Sequence, residues 1–241
     1  MTAPASKPGT TTEPAGRPPR RRGANRHRTQ EVVLAWCVWL IGSWLCSIAL
    51  ATSKIASRMM MPYAVLLGLV VLWPMLRLSQ LRPEEQRQSS RGPAWVLGEW
   101  LCLSLVVQAV VWPLMLNAGW GVVQVLWLDL LFVTWGLVAA LVIAVGERVA
   151  TARARILAMV VCVLLVFGEP AALWLLNAMA GGGSVTWPMS LSPVPVIWRI
   201  THEFGAGGFL VAAHVFTFLI VAVVGLAITM LDHGRPAERR G

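Results

Sequence analysis

The sequence predicts an all-α integral membrane protein with six transmembrane helices, both termini cytoplasmic and a disordered basic N-terminal tail. Three observations predict it. Of 241 residues, 57% are hydrophobic and only 13% charged, with a mean hydropathy of +0.68. Ordinary soluble domains are roughly 45–50% apolar and about 25% charged. The apolar residues fall in six blocks, each near the ~20 residues that a helix needs to cross hydrocarbon. Finally, Lys and Arg alternate in abundance between successive connecting segments, as the positive-inside rule requires of a multi-span chain.

Residues 1–30, rich in Pro, Thr, Gly and Arg, cannot build a core and read as a disordered cytoplasmic tail. Arg20, Arg21 and Arg22 precede an apolar run ending at Ala49-Leu50-Ala51, an arrangement reminiscent of a secretory signal. The run is about 19 residues long, beyond the ~7–15 of a signal core, so a first membrane span is the better reading. The six-helix domain covers 31–232, with spans expected near 32–52, 59–77, 94–116, 121–145, 156–178 and 206–231. Helices are required because lipid offers no partner to open backbone groups. A basic tail, 233–241, completes the chain.

With the N-terminus inside, the cytoplasmic segments hold seventeen of the twenty basic residues: seven in the tail, four between spans two and three, three between spans four and five, and three at the C-terminus. Lys54, Arg58 and Arg199 remain for the outer segments. This places the chain in the cytoplasmic (inner) membrane, N-in and C-in. The net charge of +9 is thereby assigned to topology, not to a nucleic-acid partner.

Between spans two and three, LSQLRPEEQRQSSRGP is polar and charged, a candidate docking surface. The outer segment 179–205 is apolar for a loop, and reads as interfacial or re-entrant. Trp36, Trp95, Trp120, Trp187 and Trp198 fall near expected membrane edges, where indole rings prefer to sit.

Inside the spans, polar residues are few. Glu169 lies ~20 Å along the fifth span and Asp129 ~12 Å along the fourth, at 1.5 Å per residue. By the same count Gln108 and His214 lie about 9–12 Å from the outer surface. Four polar groups therefore share one level. They either line a cavity, as intramembrane ionisable groups often do, or are each satisfied by a neighbouring helix. Pro74, Pro113 and Pro170 are candidate kinks, since proline removes a helical hydrogen bond. Glu99, near the inner end of the third span, reads as structural.

No enzyme is indicated. There is no G-x-x-x-x-G-K-[ST] and no H-E-x-x-H. Glu84-Glu85 has the paired glutamates of CAAX-type intramembrane proteases, but Ser89 stands where that motif has Arg and the His motifs are missing. The cysteines Cys37, Cys46, Cys102 and Cys162 lie in apolar blocks without ligand spacing, and His214 has no second intramembrane histidine. No cofactor or metal is expected.

Six spans, both ends inside, a charged loop after the second span, and Ser192-Pro193 ahead of the last: this layout resembles the permease subunit of a type-2 ABC exporter. The resemblance covers residues ~30–232 as architecture. It implies a separate ATP-binding subunit docking on Glu84, Glu85, Gln86 and Arg87, a homo- or heterodimer of membrane subunits, and an outer re-entrant element beginning at Ser192-Pro193. The alternatives are a non-catalytic membrane scaffold or assembly protein, and a proton-coupled carrier using Glu169 and Asp129.

Overall fold

The computed structural model describes residues 22–49, 54–79, 93–149, 151–179, 191–202 and 208–233. They form helices, with no strand among the described residues. In order these are α1 (Arg22–Ala49), α2 (Lys54–Leu67), a π-helical turn (Gly68–Leu72), α3 (Trp73–Ser79), α4 (Pro93–Ala118), α5 (Val122–Arg148), α6 (Ala152–Met179), α7 (Pro193–His202) and α8 (Gly208–His233). Six stretches are long and apolar enough to cross a membrane: Gln30–Ala49, Met59–Ser79, Ala94–Pro113, Val122–Arg148, Ala152–Met179 and Gly208–Asp232. The chain is a multi-pass membrane protein. α1 begins at Arg22, inside the segment read from sequence as a tail. No residue after Pro19 obstructs the helix that the first span propagates backwards.

α5 is the hub. Every residue from Thr134 to Ala140 is buried, close to two full turns, so other helices surround it there. It packs against α4, α6 and α8, and also against the π turn, α3 and α7. The outward residues of α1, α6 and α8, such as Leu34, Val38, Leu157, Leu164, Ile220 and Ile228, are apolar and exposed, as lipid-facing positions should be.

Two glycines fix local geometry. Gly119, at φ 65°, ends α4 in a left-handed turn and lets α5 start within three residues. Gly68 opens the π turn, and a Cβ there would collide with the ring of Trp36. The wide turn has a cause just downstream. Pro74 has no N–H, and its ring would clash with the carbonyl four residues back in a regular helix. The π turn instead sends the Trp73 N–H to the Gly68 carbonyl. Trp39 Nε1 donates to the Ala64 carbonyl at 2.9 Å, so two tryptophans of α1 hold this turn. Trp36 is thus a core residue, as is Trp120, and neither is an edge anchor. Trp95 and Trp198 are exposed, while Trp187 lies outside the described residues.

Replacing Gly68 by Ala drives a methyl into the buried Trp36 ring. It should lower stability by roughly 1–3 kcal/mol. Gly98, whose Cβ would meet nothing within 4 Å, should accept Ala with a gain of up to about 1 kcal/mol in helix propensity. Thermal unfolding of both variants in one detergent is the check.

Candidate functional site

Pro170 sits inside α6, so the Val166 carbonyl four residues back has no helical donor. In hydrocarbon an orphaned carbonyl is costly. The hydroxyl of Ser192, fully buried, donates to it at 2.7 Å. One residue from the proline, the Glu169 carboxylate accepts the Ser192 backbone N–H at 2.6 Å.

Ser192 is also the N-cap of α7, its Oγ accepting the Val194 N–H at 3.2 Å. A helix start leaves four N–H groups without internal partners. Here these belong to positions 192–195. Pro193 and Pro195 have none to offer, Val194 is taken by the cap and Ser192 by Glu169. The N-terminus of α7 is satisfied without a single water. A carboxylate at this position also complements the positive end of the helix dipole.

The rest of α7 is held by two spans, the second and the fourth. Tyr63 Oη donates to the Val194 carbonyl at 3.3 Å, and Gln124 Nε2 to that of Ile200 at 3.1 Å. Thr201 Oγ1 lies 3.1 Å from Met59 Sδ. Val196, Ile197 and Ile200 are buried beneath the helix, while Trp198 is exposed and stacks flat on His202, with centroids 4.0 Å apart.

The structure distributes the four polar residues of the spans over three contacts. Gln108 on α4 donates through Nε2 to Asp129 on α5, and accepts from Trp112 Nε1 at 2.8 Å. His214 on α8 accepts from the buried Trp135 Nε1 of α5 at 3.1 Å and packs beside Phe218. Glu169 faces α7. Each therefore has a hydrogen-bond partner on a neighbouring element. Pro113 lies within α4, and Pro74 follows the π turn. Glu84, Glu85, Gln86 and Arg87 lie outside the described residues.

A second polar centre occupies the opposite end of α5. Arg77, at the end of the second span, donates through Nη1 to Glu99 Oε1 at 3.0 Å and through Nε to Glu147 Oε1 at 3.1 Å. Trp95 Nε1 adds a 3.0 Å bond to the same Glu99 oxygen. Counting charges treats Arg77 as a loop residue, yet it is buried, as is Glu99. The signal available in the sequence was their symmetry, one either side of segment 80–92. Nearby, Arg148 pairs with Asp232 of α8 at 3.1 Å and donates to the Thr229 carbonyl. Among the described residues no group of His, Cys, Asp or Glu could hold a metal ion.

Comparison with family models, with characterised proteins and with solved structures returns no match.

Ser192→Ala should cost about 1–2 kcal/mol, because it removes the cap and orphans the Val166 carbonyl. In a Pro170→Ala background the new N–H can take that carbonyl. The Ser192→Ala penalty should then shrink by about 1 kcal/mol. A double-mutant cycle on thermal unfolding reads this coupling, and strict additivity would mean that the two residues do not share the carbonyl.

Proposed function

We propose that this chain is the membrane-spanning permease subunit of an ABC-type exporter, seated N-in and C-in in the cell membrane and energised by a separate ATPase subunit. The observation that carries the reading is the Arg77–Glu99–Glu147 triad. It ties together the two helix ends from which segment 80–92 emerges, and fastens both to the central helix α5. Force applied to that segment by a docked partner would enter spans two, three and four together. Breaking such a pair leaves a buried charge uncompensated, at a cost of about 3–5 kcal/mol, so the joint is stiff. A short helix packed across the other end of the bundle, ahead of the last span, agrees with the same layout. The lysine and arginine distribution supports the orientation.

The observation that favours a non-catalytic scaffold is the local pairing of Gln108, Asp129, Glu169 and His214. Both carboxylates of the proton-coupled carrier reading are engaged in these contacts.

Purification of the tagged protein from its native host in mild detergent separates the first two. The exporter reading expects a stoichiometric soluble ATPase that is lost when residues 80–91 are replaced by Gly and Ser. Recovery alone, or only with other integral membrane proteins, would support the scaffold and reject the exporter.

A further inference from the structure

Gln108 and Asp129 satisfy each other only in part. A primary amide has two N–H donors and a carboxylate two oxygens. The bond from Gln108 Nε2 to Asp129 Oδ1 uses one of each, and among the described residues nothing else bonds to the Asp129 side chain. Both residues are partly exposed. They continue two outward stripes at helical spacing: Leu101, Leu105, Gln108 and Trp112 on α4, and Val122, Leu126 and Asp129 on α5. The apolar members of both stripes are exposed. Asp129 stands seven residues after Val122, about 10 Å along a helix long enough to cross the bilayer with its headgroups, and so within the apolar layer. An ionisable side chain with an open oxygen on an outward face is costly at that depth, because acyl chains offer it no donor. This face therefore calls for a covering partner that forms hydrogen bonds.

We propose that the α4–α5 face is a two-fold interface between two copies of this chain, in which the Gln108–Asp129 pair of one copy bonds to the same pair of the other. The pair is self-complementary in either protonation state. With the carboxylate ionised, the second Gln108 N–H of each copy donates to the open Asp129 oxygen of the other. With it protonated, the Asp129 hydroxyl donates to Gln108 Oε1 of the other copy, which has a second lone pair beside its bond from Trp112. Copies sharing one topology are related by an axis along the membrane normal, which keeps every residue at its own depth. Donor and acceptor must then lie at one level, and these do, because they are bonded to each other within the chain. An unrelated helix would have to supply a matching donor and acceptor at that depth, whereas a second copy has them already. Exposed Cys102 and Ala109 beside the α4 stripe are small enough to let two backbones approach. The interface needs no ATPase and is independent of the exporter reading.

The test uses full-length protein carrying one fluorophore at its N-terminus, reconstituted in phosphatidylcholine–phosphatidylglycerol vesicles over a range of protein-to-lipid ratios, with copies counted by photobleaching. Wild type should pass from one copy to two as the ratio rises. Gln108→Leu with Asp129→Leu removes donor and acceptor together, so neither orphans the other, and should raise the dimer dissociation constant about tenfold. Leu126→Trp, a bulky change at an exposed position of the same face, should weaken the dimer without touching the pair. Leu164→Ala, on the outward side of α6, should leave it unchanged. Thermal unfolding at a ratio where every variant is monomeric verifies the fold. A single copy at every ratio, or a dimer that both the double-leucine and the Leu126→Trp variants leave intact, would overturn the interface.

Discussion

A bilayer supplies no hydrogen bonds, and this constraint decides what a proline inside a span can cost. Pro170 deletes the donor for the Val166 carbonyl, and the structure answers with the hydroxyl of a residue 26 positions away in sequence. The same residue begins α7, whose own orphan donors are cut to two by Pro193 and Pro195 and then met by Ser192 and Glu169. Two potential defects, a kinked helix and an uncapped helix start, thereby satisfy each other. Pro74 meets the constraint differently, through a π turn stabilised by tryptophans of α1.

α5 joins the two polar centres. Gln124, in its first turn, bonds to α7, and Glu147, in its last, bonds to Arg77. The 27-residue helix between them spans about 40 Å, the length of a bilayer with its headgroups. Along it Leu128, Leu131, Phe132, Trp135 and Ile143 are all fully buried against neighbouring elements. A rod packed on all sides at its middle and pinned at both ends links α7 to Arg77 and, through it, to Glu99.

The number and position of the spans were legible because hydrocarbon thickness imposes length, and length is visible in one dimension. For one pair depth was legible too: Gln108 and Asp129, assigned to one level by counting rise, meet. Azimuth and helix neighbourhood were not. Rise per residue is silent about which faces turn towards each other, so Trp135 as the partner of His214 could not be foreseen. Arg77 was hidden by the opposite error, since counting basic residues for topology treats a charge at a span end as solvated. Ser192-Pro193 stood out as a motif and Glu169-Pro170 as an anomaly. The link between them was present in principle, because a proline at 170 announces a free carbonyl at 166.

The identity of residue 169 follows from the same reasoning. Glutamine could also accept the Ser192 N–H through its amide oxygen. It would bring an NH₂ group with two further donors to a place where each needs an acceptor. A carboxylate brings acceptors to the positive end of α7 and no donors when ionised. An acid is therefore well suited to holding a helix start within a membrane. Intramembrane acids beside prolines invite assignment to a translocation path. Glu169 has a structural task in any case, accepting the Ser192 N–H beside the proline that follows it.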